Sequence, residues 1–427
     1  MHEYIDLLRK NANYRNLWLG SVVSQLGDWF NLIASAELIT SLTDSGVAVS
    51  SLFLARFLPL FLFSPFAGVL ADRYSRRAIM IITDILRAAT VAAFLLIKTP
   101  DQLWLLYTLT ILQFVLSALF TPARSAVLSN VVPKNELVSA NALDALTWST
   151  MLALGAFLGG VVAALFGARV AFIADAGTFL FSAFFISRIV ITVPRERVQL
   201  DHGGFLDFVD GFRYLWRDPF ILGIALAKAG GSLVWGAINV LEINFANEVF
   251  PLDRTVLGQS LSISDSGTAT LGIIYMVSGI GTGLGPIFMR RRLGDRLPRL
   301  MVGITIGFGL LASGIGLLSV SQSLGVYLLA TLIRTVGSGT IWVFSAAFLQ
   351  MIVPDRFRGR VFAFEFAMLT LTQSISVFSA GYMLDVWGLN VRQTTAVMAF
   401  SGVIILCIWL LFALRQRGTV QSMAFQK

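Results

Sequence analysis

Apolar runs long enough to cross a bilayer recur along the whole chain, and no other feature constrains its fold as tightly. They fall at about 16–41, 47–70, 78–97, 102–122, 138–166, 168–190, 219–247, 268–289, 300–320, 324–352, 360–384 and 393–414, numbered here as segments one to twelve. Lipid offers nothing to an open peptide N–H or C=O. A continuous apolar run of this length must therefore close its hydrogen bonds on itself as a helix. The expected fold class is an all-α membrane protein with twelve transmembrane helices. Composition agrees: 13% of the 427 residues are charged, about half the share of a soluble chain.

An even number of spans puts both ends of the chain on one side, and basic residues choose the side. Twenty-four lysines and arginines fall in loops and ends on the face of the N-terminus; only Lys98, Arg169, Arg254 and Arg392 fall on the other. That bias predicts cytoplasmic termini in a multi-pass protein of the cell membrane. It also accounts for most of the net charge of +8, so no nucleic-acid partner is expected. The single cysteine, Cys407, excludes an intramolecular disulfide. Two histidines, His2 and His202, lie outside the apolar segments, and no metal or other cofactor is expected. The N-terminus lacks the short apolar core of a cleaved signal peptide.

The longest polar interval, about 191–218, divides the chain. It predicts an N-terminal six-helix bundle at 1–190, a cytoplasmic linker at 191–218 and a C-terminal six-helix bundle at 219–427. Within the linker Phe205, Phe208, Val209, Phe212 and Leu215 recur at helical spacing, as in a helix lying on a membrane surface. The two halves look duplicated. Leu128-Ser-Asn-Val-Val-Pro133 matches Leu349-Gln-Met-Ile-Val-Pro354, and at the same offset Asp144 falls on Glu365. Gly68 falls near Gly285 at a similar offset. Paired halves with a site between them are a transporter architecture.

Between segments two and three the chain reads Gly68-Val-Leu-Ala-Asp72-Arg73-Tyr-Ser-Arg76-Arg77. Glycine lets helices approach closely, arginines hold a turn in the cytoplasm, and an aspartate can face a helix N-terminus. The pattern G-x-x-x-D-R-x-x-R-R resembles the loop signature of the major facilitator superfamily of transporters. The resemblance covers nearly the whole chain. It implies two pseudo-symmetric six-helix bundles, alternating access, and an Asp72 that faces the start of segment eleven near Arg356 and Arg358. In segment five, Gly155-Ala156-Phe-Leu-Gly159-Gly160 is similar to the superfamily's antiporter motif G-P-x-x-G-G, with Ala156 in place of the proline. The strings Gln25-Leu-Gly27-Asp28 and Thr121-Pro-Ala-Arg-Ser-Ala-Val, with Ser139-Ala-Asn141-Ala-Leu, look like the branch of macrolide and enterobactin exporters. Lysophospholipid transporters are similar at the same places.

Polar residues recur on one stripe of every third segment. Segment one carries Ser21, Ser24, Gln25, Asp28, Asn31 and Ser35; segment four carries Thr110, Gln113, Ser117, Thr121 and Arg124. Segment seven carries Lys228, Trp235, Asn239 and Glu242; segment ten carries Thr331, Arg334, Ser338 and Ser345. Such stripes face protein or a water-filled path. The expected substrate cavity is lined by Gln25, Asn31, Gln113, Ser117, Lys228, Trp235, Asn239, Glu242, Arg334 and Ser338. The resemblance adds that these same helices line the cavity in the facilitator fold.

A charge at mid-membrane costs about 2.5–3.5 kcal/mol even on a lenient scale, so each predicts a partner. Asp28 and Arg56 lie at comparable depth and are plausible partners for each other, either as a permanent ion pair or as a site that binds and releases a proton. Asp144 and Glu365 are open to both readings too. Asp84 and Arg87, at i and i+3, suggest a structural pair. Lys228 and Arg334 have no nearby acid in sequence and could offset Glu242 or an anionic substrate. The expected function is proton-coupled export of a small amphipathic molecule by a monomer. The alternatives are a lysophospholipid translocator without proton coupling and a transporter-like sensor or scaffold. No nucleotide loop, catalytic triad or thiolate site points to an enzyme.

Overall fold

The computed structural model describes residues 2–133, 136–190, 213–252, 266–294 and 296–419, without the side chains of 2–4, 64–69, 71–73, 138 and 355–356. All twelve apolar segments fall on helices. The first half gives α1 (Ala12–Leu42), α2 (Gly46–Arg73), α3 (Arg76–Ala93) and α4 (Leu103–Val131). Next comes α5, which runs over Leu137–Thr150, passes through a π-helical stretch Met151–Gly155 and continues over Ala156–Phe166. The half ends with α6 (Ala168–Ser187). The second half opens with α7, built from Pro219–Ala225, Ala227–Asn244 and a π-helical end Phe245–Val249. It continues as α8 (Ser266–Leu293), α9 (Leu297–Val320), α10 (Leu324–Ile352), α11 (Asp355–Asp385) and α12 (Val391–Arg415).

Among the described residues, eleven helices are long and apolar enough to cross a membrane. The other, α1, has 31 residues, enough for the span; its polar stripe lowers its hydropathy. Local chemistry fixes the helix ends. Asn11 caps α1 by accepting from Tyr14 N at 2.9 Å. Asp218 caps α7 with proline in the first turn, Ser323 caps α10, and Asn390 with Gln393 forms a capping box on α12. Gly167, at φ +81°, makes the one-residue corner between α5 and α6. Segment four ends later than the sequence predicts: α4 carries Pro122 internally and continues to Val131. In a membrane helix the carbonyl freed by a proline is tolerated more readily than in water. The amphipathic piece predicted from Phe205 lies mostly outside the described residues.

The chain forms two compact units, and α2 and α8 contribute to both. The first comprises Met1–Asp44, Leu62–Leu206 and Leu252–Ile273; the second comprises Ser45–Phe61, Asp207–Pro251 and Ile274–Lys427. In the first, α1 packs on α6 and α5, and α3 on α4 and α6. A short helix at His2–Lys10 closes its inner end, where Leu7, Tyr14, Leu17, Phe120, Val127 and Ile186 share a buried cluster. In the second, α9 packs on α10 and α12, and α7 on α11 and α12.

Candidate functional site

In the first unit the stripe of α1 turns inward. Ser21, Ser24, Asn31 and Ser35 are buried, while Gln25 and Asp28 are half-buried. Arg124 of α4 joins this stripe to α5: its Nε donates to Ser21 Oγ at 2.6 Å and its Nη2 to Asp144 Oδ2 at 2.8 Å. Arg87 of α3 pairs with Asp84 and donates to Ser117 Oγ at 3.4 Å. Its guanidinium lies between the rings of Phe120 and Phe179, 4.4 Å from each centroid. Asp28 lies within electrostatic range of Asp84. Gln113 is fully buried, and neither of its amide atoms has a hydrogen-bond partner among the described residues.

The glycines of α5 are contact points. A methyl at Gly155 would lie 3.1 Å from Trp29 Cδ1, and one at Gly159 3.2 Å from Phe30 Cα, both on α1. At Gly160 it would lie 2.8 Å from Gly272 Cα, on the part of α8 that belongs to this unit. The proline absent at Ala156 is replaced by a different irregularity, the π-helical stretch immediately before it. Of the loop signature, Arg76 and Arg77 are half-buried, and Arg77 donates to the Ser187 carbonyl. Gly68, Asp72 and Arg73 have side chains outside the description.

In the second unit the stripe of α7 carries two ion pairs. Lys228 Nζ lies 3.1 Å from Glu365 Oε2 of α11. Farther along, roughly 20 Å at about 1.5 Å per residue, Glu242 pairs with Arg334 of α10, which also donates to Ser278 Oγ of α8 at 3.4 Å. Both pairs are buried. Asn239 donates to the Gly236 carbonyl at 2.9 Å, Ser338 to the Thr335 carbonyl at 3.2 Å, and Trp235 is half-buried. Arg56 is buried in this unit, within electrostatic range of Tyr275. Asp28 belongs to the other unit, and its pairing with Arg56 stays a proposal.

The acids that the duplication aligns, Asp144 and Glu365, are both ion-paired, but their cations come from different helices: Arg124 from α4 and Lys228 from α7. The reading of the sequence left Lys228 without an acid because its partner stands far along the chain, on α11. It also missed Asp385. This residue ends α11 and caps α2 by accepting from Ser45 Oγ at 2.5 Å, Gly46 N at 2.8 Å and Val47 N at 2.9 Å. An acid at a helix end opposite a Ser-Gly start was the available signal.

Comparison with known proteins agrees with this architecture. A family model described as "Transmembrane secretion effector" matches residues 7–424. The chain is 26% identical to the uncharacterized MFS-type transporter YfiS of Bacillus subtilis (strain 168), covering 90% of this chain and 89% of that protein. It is 25% identical to macrolide efflux protein A of Streptococcus pyogenes, covering 92% and 94%. Among solved structures, the nucleoside transporter NupG shares the fold with a TM-score of 0.70 at 14% identity, covering 94% of this chain and 99% of that one. A helical membrane chain matched along nearly its whole length in both sequence and fold has one classification: it belongs to the major facilitator superfamily of transporters, in the transmembrane secretion effector family.

Proposed function

We propose that this transporter exports amphipathic organic molecules in exchange for protons by alternating access. The observation that carries the reading is the set of ionisable side chains buried in membrane-spanning helices, on stripes of α1, α4, α7 and α10 (Asp28, Arg124, Lys228, Glu242 and Arg334). Such residues are costly there and mark pathways and proton relays. The printed name of macrolide efflux protein A supports the direction of transport. In this reading the halves at 1–190 and 219–427 rock about a cavity lined by Gln25, Asn31, Gln113, Ser117, Lys228, Trp235, Asn239, Glu242, Arg334 and Ser338. Asp28, Arg56, Asp144 and Glu365 are the proton-coupling candidates. Gly68, Asp72, Arg73, Arg76 and Arg77 govern conformation at the inner turn, and Gly155, Gly159 and Gly160 let α5 slide on its neighbours. The protein works as a monomer in the cell membrane.

Uptake into inside-out vesicles tests this, with and without a proton gradient, across drugs, siderophores and lysolipids. Gradient-driven uptake of drugs or siderophores is the expected result. Uptake of lysolipid alone, indifferent to the gradient, would replace antiport with lipid translocation. Asp28→Asn is expected to abolish gradient-driven uptake while keeping normal expression; unchanged uptake would remove Asp28 from the coupling site.

A further inference from the structure

Lys228 occupies a place built to hold a cation. On one side is the Glu365 carboxylate at 3.1 Å; on the other is the Trp342 indole, whose centroid lies 4.6 Å from Nζ. All three residues belong to the second compact unit. A carboxylate facing an aromatic ring is also how organic ammonium groups are held. Trp342 stands four residues from Ser338 and three from Ser345, so it shares the polar stripe of α10, and it is 41% exposed. Glu365 is buried, and its Oε1 accepts no hydrogen bond among the described residues. The carboxylate therefore has acceptor capacity that Lys228 does not fill.

We propose that Glu365 and Trp342 form a subsite for a monovalent organic cation, which enters by displacing Lys228, and that the displaced ammonium releases the exchanged proton. The proposal rests on the export reading and names its substrate class and its proton carrier. The exchange balances. Before it, a lysine ammonium faces the carboxylate; after it, the substrate cation does. One N–H bond of Lys228 breaks, the electron pair stays on nitrogen as a neutral amine, and the proton leaves to water. Keeping both cations would leave an uncompensated charge in a buried place. A lysine can shed its proton under that pressure, whereas an arginine cannot.

Charged groups on the helices packed against α7 do not compete for Lys228. Arg334 of α10 is bonded to Glu242, Asp385 of α11 caps α2, and Arg392 of α12 donates to the Ser321 carbonyl. Arg299 of α9 donates to the Leu293 carbonyl and Arg358 of α11 to the Gln350 carbonyl. Among the described residues, Glu365 is the carboxylate within ion-pair distance of Lys228.

The test is calorimetric titration of the purified full-length protein in buffers of different ionisation enthalpy, which counts protons released per ligand bound. Tetraphenylphosphonium and tetraethylammonium are permanent cations with no proton of their own; triphenylphosphine oxide is a neutral control. Wild type is expected to bind a cation and release about one proton. Lys228→Gln is expected to bind roughly tenfold more tightly and release none. Lys228→Arg keeps the ion pair and is expected to bind more weakly and release none, so it carries the test if Lys228→Gln does not fold. Glu365→Gln is expected to lose roughly tenfold or more in cation affinity. Proton release by Lys228→Arg equal to wild type, or failure of both cations to bind wild type, overturns the proposal. Gradient-driven vesicle uptake of neutral compounds but of neither cation overturns it while leaving the export reading intact. No gradient-driven uptake of any compound sinks the export reading itself.

Discussion

At the scale of single residues, Arg87 defines how charge survives in this interior. Its guanidinium has a carboxylate at one edge, Asp84, and a phenylalanine ring on each face. Removing one partner of a buried pair strands the other, which costs about 3–5 kcal/mol. Asp84→Asn is therefore expected to destabilise the protein toward the lower end of that range, because Asp28 lies close enough to offset part of the charge. Adding Arg87→Met is expected to restore most of the loss, since a matched apolar pair removes the stranded charge. Thermal unfolding in detergent checks both, and a double variant less stable than Asp84→Asn would show that the ring stacking outweighs the ion pair. The Asp84–Arg87 pair was legible in the sequence because both members share one helix turn. Arg124–Asp144, Lys228–Glu365 and Arg334–Glu242 were not, because their spacing depends on how separate helices cross. Hydrophobic patterning identifies which face of each helix is polar but leaves open which residue stands opposite.

At the scale of elements, α5 shows two ways to irregularise a membrane helix. The family's motif has a proline; this chain has the π-helical stretch Met151–Gly155 just ahead of Ala156. A π-turn already widens the ladder that a proline would disrupt. Ala156→Pro is thus expected to be tolerated with a small loss of thermal stability. Leu158→Pro, two residues on in regular helix, is expected to cost about 3 kcal/mol or more. Equal losses in the two variants, read by thermal unfolding, would show that the π-turn confers no tolerance. Helix number and positions were legible because a bilayer permits little else for long apolar runs. Boundaries were less so: Pro122 reads as a stop, yet α4 passes through it to Val131. The π-turn had no visible signal beyond the missing proline.

At the scale of the molecule, the basic bias predicts cytoplasmic termini and a cytoplasmic 191–218 interval. With the exposed Cys407 changed to serine, Asp44→Cys is expected to react with an impermeant maleimide on intact cells. Leu200→Cys is expected to react only after permeabilisation, and the opposite pattern would invert the topology. The family was legible because its loop and helix signatures are local strings. The long-range joins were not, and Asp385 is the instructive one. Its three hydrogen bonds fasten the start of α2 to the end of α11, while a methyl at Gly46 would lie 2.8 Å from Leu384 Cδ1. Asp385 is exposed, so water can take over each bond as it parts. A bond traded for one to water changes the free energy by only about 0.5–1.5 kcal/mol. The join therefore behaves as a clasp and not a weld, strong enough to set where α2 rests and cheap enough to undo in every turnover.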